Sequence, residues 1–316
     1  MKMKNIFIAI STSLILLLAA CNVLQPTAMP TQPVPTQTVL PATGAQYYFV
    51  TNKLQIPTTQ EQTQEFALNI DGDSQQSLDN KFGDLFTLLT SAAQGIELQS
   101  TLDQAVNTGQ LVALHVVKAN DILNDPSVSW SLLLGQMTQS APSFDGSDKF
   151  TLEPTMPAQS PIVGSLTNGH FAGGPGMAQV QMFLLGQSVE VNLIGVRLEA
   201  DLSVNGCANS KLGGGVTVEE FNGKLLPAIA DGLNQIILVD KTVANTLLPV
   251  FDSDHDGKIT LQELEKNPLL IFVVSPDLDL LDASGNFNPG QDGVKDSYSV
   301  GLGFTCVPAI FTAPVE

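Results

Sequence analysis

The run MAQVQMFLLGQSVEVNLIGVRLEADLSVNG, residues 177–206, narrows the possible folds more than any other part of the chain. Ala178, Val180, Met182 and Leu184 fall on one side of an extended backbone. So do Val189, Val191 and Leu193, and then Val196, Leu198, Ala200, Leu202 and Val204. Side chains of a strand alternate between its two faces, so this pattern predicts strands with one apolar and one solvated face. Gly186, Gly195 and Gly206 separate the runs, which predicts a three-stranded antiparallel meander. A sheet with one apolar face must be covered by something else.

Candidates for the cover lie on both sides. QYYFVTNKLQIP and QEFALNI, beginning at Gln46 and Gln64, read as strands, the second with Phe66, Leu68 and Ile70 on one face. Leu78, Phe82, Leu85, Phe86 and Leu89 recur at helical spacing. A second helix is predicted from Ile96 to Val106 with a stop at Gly109, and QLVALHVVKA after it reads as a strand buried on both faces. From Thr217 the apolar period lengthens to that of a helix. Thr217-Val218-Glu219-Glu220 has the form of a capping box, and Val218, Phe221, Leu225, Ile229 and Ile236 line one side. Pro227 is expected to split this stretch into two helices. Near the end SYSVGLGFT alternates again, with Tyr298, Val300, Leu302 and Phe304 inward, so the chain is expected to return to the sheet. The fold class that follows is α+β. It is a single body over residues 45–316, an antiparallel sheet or sandwich, with a helical segment at 217–275.

The first residues obey different rules. Lys2 and Lys4 precede an apolar stretch from Ile6 to Leu18, and Leu18-Ala19-Ala20-Cys21 follows. A basic start, a short apolar core and small residues describe an export signal over residues 1–20, too short for a membrane span. The Leu-Ala-Ala-Cys ending resembles the bacterial lipobox. That resemblance implies lipidation of Cys21 and attachment to the outer face of a bacterial membrane. Residues 22–44 are rich in Pro, Thr and Gln and carry no aromatic residue or charge, so they read as an extended tether behind the lipidated Cys21.

Acids outnumber bases by 31 to 13, for a net charge of −18, which argues against nucleic acid as a partner and favours cations. Beyond Cys21 the cysteines are Cys207 and Cys306. In an exported protein they either pair as a disulfide or stand as separate buried thiols.

One acidic stretch has defined spacing. In DSDHDGKITLQE, Asp252, Asp254 and Asp256 occupy the first, third and fifth places, Gly257 the sixth, Lys258 the seventh, Thr260 the ninth and Glu263 the twelfth. This resembles the EF-hand loop. The resemblance implies calcium held by the three aspartates, the Lys258 carbonyl, Thr260 through water and both oxygens of Glu263. Gly257 supplies the sharp turn and Ile259 an apolar anchor, and Thr260 with Glu263 also forms a capping box. His255 is expected to face solvent, and His115 and His170 to be structural. The flanks depart from calcium sensors. Pro249 should distort the end of the entering helix, Lys241–Phe251, and Pro268 must end the exiting helix by Asn267. No second loop of equal quality is at hand to pair with it, so a structural role for calcium is expected rather than a switch. A partial echo at Asn69, Asp71, Asp73 and Asp79 gives a second candidate ligand set, without a glycine at the sixth place or a glutamate at the twelfth.

No motif for a nucleophile elbow, zinc hydrolase or phosphate-binding loop is present. The layout as a whole is similar to that of exported bacterial lipoproteins, a likeness that carries no activity with it. The function expected is therefore that of a monomeric, lipid-anchored, calcium-stabilised envelope protein rather than an enzyme. The alternatives are a binding module for polysaccharide or another envelope component, acting through its sheet face, and a carboxylate-based hydrolase, which two close acids in an open cleft would favour.

Overall fold

The structure, a computed structural model, describes residues 44–73, 77–92, 96–138, 141–153 and 160–312. The expected export signal over residues 1–20, Cys21 and the expected tether up to residue 43 lie outside the described residues. The described residues belong to one compact unit, Pro41–Glu316.

That unit is α+β and its dominant feature is a large antiparallel sheet. The elements run β1 (Ala45–Gln55), α1 (Gln60–Glu65), α2 (Lys81–Ala92), α3 (Leu98–Thr108), β2 (Ala113–Ala119), β3 (Asp125–Met137), β4 (Lys149–Leu152), β5 (Ile162–Thr167) and β6 (His170–Leu184). Then come β7 (Gln187–Ser203), β8 (Gly206–Thr217), α4 (Val218–Glu220), a π turn (Phe221–Leu225), α5 (Leu226–Val239), α6 (Lys241–Phe251), α7 (Leu261–Lys266), α8 (Pro268–Val273), β9 (Ser297–Pro308) and β10 (Ile310–Phe311). The strands lie side by side in the order β10-β4-β3-β2-β1-β9-β8-β7-β6-β5, and β3 also pairs with β5. That extra pairing closes eight strands on themselves, so the sandwich expected from sequence is replaced by a barrel, which leaves fewer free edges. The seam is short. β3 meets β5 over Asp125–Trp130, and further along Gly135–Met137 turns to β4 instead. Helices pack on several strands of the ring, α2 on β9 among them. α3 touches β1 and β6, which are not neighbours in the ring, and α5 packs on β6 and β7.

The meander predicted from the opening run is present with different joints. Gln187–Ser203 is one continuous strand, and Gly195 marks a bulge within it, where the pairing with β8 shifts register. Val204 lies beyond the strand and is exposed. The next strand is β8, whose Gly213-Gly214-Gly215 pairs between β7 and β9. QEFALNI is no strand. The Thr59 hydroxyl accepts a hydrogen bond from the Gln62 N–H and starts a helix that runs to Glu65. Phe66, Leu68 and Ile70 are buried all the same, because this segment lies over β9. Leu78, assigned to the helical stripe, is exposed and precedes α2, whereas Phe82, Leu85, Phe86 and Leu89 are fully enclosed. Each such side chain stabilises the fold by roughly 1.5–3 kcal/mol. Rings of Phe82 and Phe221, and of Phe221 and Tyr298, stack edge or tilted, tying α2 to the π turn and the π turn to β9.

Pro227 does not split the helical segment. Helical geometry continues from Val218 to Val239, and the Leu226 N–H reaches back to the Phe221 carbonyl, five residues away. The wide turn brings the chain to Pro227 in the first turn of α5, where its missing N–H is least needed. β9 differs from its prediction by being buried on both faces. Its even-numbered residues are apolar, while an added methyl at Gly301 or Gly303 would collide with Phe66. Cys207 of β8 and Cys306 of β9 are register partners joined by a disulfide.

Candidate metal centre

The centre is built from two helices and the turn between them. Asp240 caps α6 by accepting the N–H groups of Thr242 at 2.8 Å and Val243 at 3.1 Å. The helix runs through Pro249 to Phe251, and the Asp252 N–H still reaches the Leu248 carbonyl at 2.9 Å. His255 and Gly257, with φ of 62° and 86°, then reverse the chain. The second value is one that glycine adopts without strain.

Each aspartate first serves the turn. Asp252 is buried, and its oxygens accept the N–H groups of Asp256 at 3.2 Å and Gly257 at 2.9 Å. Asp254 also accepts the Asp256 N–H, and Asp256 accepts the Lys258 N–H at 2.8 Å. His255 Nδ1 lies 3.0 Å from the Asp252 carbonyl oxygen, with the residue exposed, as expected of a side chain outside the ligand set. One carboxylate oxygen from each of Asp252, Asp254 and Asp256 lies within 4.8 Å of the other two. Three converging hard oxygen donors can hold a metal ion.

The structure places the remaining expected ligands differently. Glu263 is buried, and both of its oxygens are occupied by the loop. Oε1 accepts from the Ser253 N–H at 2.6 Å, the Ser253 hydroxyl at 3.1 Å and the Asp254 N–H at 3.3 Å. Oε2 accepts from the Thr260 N–H at 2.9 Å and hydroxyl at 2.8 Å. The Thr260 N–H foremost, with the other donors, holds the Glu263 carboxyl down to about 2 against the opposing effect of burial. Thr260 caps α7 in the reciprocal arrangement foreseen, so its hydroxyl is directed to Glu263. Lys258 is exposed and its N–H is bound to Asp256.

Two asparagines that sequence reasoning missed hold the loop in place. The Asn234 amide on α5 accepts the Ile259 N–H at 2.9 Å and donates to the Ile259 carbonyl at 2.7 Å. Asn267 donates to the Val250 carbonyl at 2.7 Å and caps α8, so both ends of the loop are joined to each other. The available signal for Asn234 is its place beside the buried Leu233 in a mostly apolar helix.

The second candidate set does not gather as ligands. Asn69 Oδ1 and Asp71 Oδ1 both accept the Asp73 N–H, at 3.1 Å each. Asp73 in turn accepts from Ser77. Asp79 accepts the Ile70 N–H at 2.9 Å. Among the described residues, the trio at Asp252, Asp254 and Asp256 is the carboxylate group that converges. Asp79 instead joins a residue far away in sequence. With Asp84, Asp277, Asn80, Lys81 and Gln64 it lines an open pocket of about 410 Å³. Burial first, then the charges of Asp71, Asp277 and Asp73, push Asp79 up to about 6, and burial raises Asp277 as well. Such a pocket can hold a proton near neutrality and accept hydrogen bonds from hydroxylated molecules.

A smaller cavity of about 50 Å³ lies inside the barrel, near the end of the seam. It borders His115, whose Nδ1 accepts the Trp130 indole N–H at 3.1 Å, so Nε2 carries the hydrogen and donates to the Thr51 hydroxyl at 2.8 Å. Burial lowers its pKa to about 3, and Phe304 stacks on the ring. His115 is thus a neutral core residue. His170 is exposed and pairs with Asp201 at 2.9 Å. No protein-family model, no curated protein and no solved structure matches this chain.

Proposed function

We propose that this is an exported, lipid-anchored envelope protein whose fold is stabilised by calcium bound at the Asp252–Glu263 loop. The observation that carries the reading is the convergence of Asp252, Asp254 and Asp256 within 4.8 Å at the bend between α6 and α7. Three carboxylates this close repel one another, and a hard divalent cation relieves that repulsion. Calcium suits an irregular loop of oxygen donors better than magnesium, which demands octahedral geometry and keeps its waters. The loop is already fastened by Asn234, Asn267 and Glu263. Binding therefore reinforces one conformation and leaves the helices where they are. Lipidation at Cys21 would place the body where calcium is plentiful, so a weak site would stay filled.

The test is thermal melting during a calcium titration. With a dissociation constant of ~10⁻⁴ M, the upper end of affinity for extracellular modules, 10 mM calcium adds about 2.7 kcal/mol. The melting temperature should rise accordingly, and the share of the rise due to this loop should be lost in Asp254→Asn combined with Asp256→Asn. Asn keeps an oxygen for the Asp256 and Lys258 N–H groups and removes the repulsion, so the apo variant should melt no lower than the apo wild type. A wild-type melting temperature that ignores calcium rejects the reading.

A further inference from the structure

Residues 274–296 join α8 to β9 without a helix or a strand. Irregular segments of this length are uncommon in compact bodies and are usually functional. This one carries Asp277, Asp279, Asp282, Asp292 and Asp296 against a single base, Lys295. Most of these carboxylates serve the local backbone. Asp277 accepts from Ser299, Asp282 from Ser284 and Asn286, Asp292 from Val294, and Asp296 from Leu280, Leu281 and the Ser297 hydroxyl.

Asp279 is the exception. It is only 4% exposed, between Leu278 and Leu280, which are fully enclosed. Its carbonyl accepts the Gly290 N–H at 3.0 Å and its Oδ2 the Gly293 N–H at 2.8 Å, so the turn Gly290–Gly293 wraps around it. Its Oδ1 is buried and has no hydrogen-bond partner. A buried polar atom left unpaired is unfavourable, and a buried carboxylate oxygen more so. Something must answer it, and the surrounding excess of acids makes a cation the strongest candidate.

We propose that Asp279 anchors a second site for a hard divalent cation, calcium, inside the Gly290–Gly293 turn. The remaining oxygens would come from the turn's own carbonyls and from Asp292. Magnesium fits less well, since it would have to shed several waters to reach a buried oxygen. The site does not depend on the Asp252–Glu263 loop. It would fasten this long irregular segment to the strand that follows it.

The test counts calcium bound per full-length chain by isothermal titration, using calcium alone as the probe. Two ions are expected for the wild type. Asp279→Asn should lose one ion and keep the one that Asp254→Asn combined with Asp256→Asn removes. A wild type that binds one ion, keeps it after the loop substitutions and loses it in Asp279→Asn would support this site while rejecting the loop reading. Wild type and Asp279→Asn binding the same number of ions would overturn the proposal. Should Asp279→Asn fail to fold, Asp292→Asn on the exposed turn decides, with at least a tenfold weaker second site expected and unchanged binding overturning the proposal.

Discussion

At the scale of single residues, the polar groups of this chain act first on the backbone and only then on anything else. Glu263 shows it most plainly, with five donors around its two oxygens. Asp79 makes the opposite case, because burial and like charge leave its ionised form poorly supported. Its carboxyl binds a proton more tightly folded than unfolded, so its contribution to stability is full below the unfolded value of 3.8 and is lost as pH rises through about 6. Asp79→Asn keeps an oxygen to accept the Ile70 N–H and removes the charge. The variant should therefore be more stable than the wild type at pH 7, by about 1 kcal/mol after solvent screening, and gain nothing at pH 3. Melting temperatures across that range check it. The acidic trio was legible because its spacing is local and the turn enforces it. The Asp79 pocket was not, because Asp277 reaches it from nearly the other end of the chain.

At the scale of elements, periodicity identified most of the helices and half of the strands, leaving β3, β4, β5, β8 and β10 unread, while neighbours decided ends and joints. The spacing of Phe82, Leu85, Phe86 and Leu89 survives intact in α2. Gly195 read as a turn because glycine often ends strands, yet a bulge can absorb it when partners on both sides continue. The Gly213–Gly215 run carried no apolar alternation, so β8 was invisible until β7 and β9 bracketed it. β9 is a case where the outer face mattered as much as the inner one. Its Gly301 and Gly303 allow the segment around Phe66 to lie directly on the sheet. Gly301→Ala should destabilise the protein by roughly 1–3 kcal/mol through overpacking, measured by urea denaturation. Ala at Gly223, where an added methyl meets nothing, is the matched control and should not.

At the scale of the molecule, the sheet closes into a ring, which alternation along single strands does not foretell, since an open sandwich and a barrel share that pattern. The Cys207–Cys306 disulfide spans 99 residues of sequence across adjacent strands of this ring. A cross-link over a loop of that length restricts the unfolded chain by roughly 4–5 kcal/mol. Replacing both cysteines by alanine should lower stability by most of that amount, and reductant should shift the melting of the wild type but not of the variant.

The last barrel strand in sequence stands between the first and the eighth, with β9 paired to β1 on one side and β8 on the other. A ribosome makes the chain in the opposite sense, from β1 onward. Until Ser297–Pro308 has emerged, β1 and β8 each keep a bare edge, and Cys207 waits for a thiol that has not been synthesised. Completion of the ring thus waits for the last of its strands. A copy truncated before β9 would keep both edges bare and open to proteolysis, and would never pass for finished.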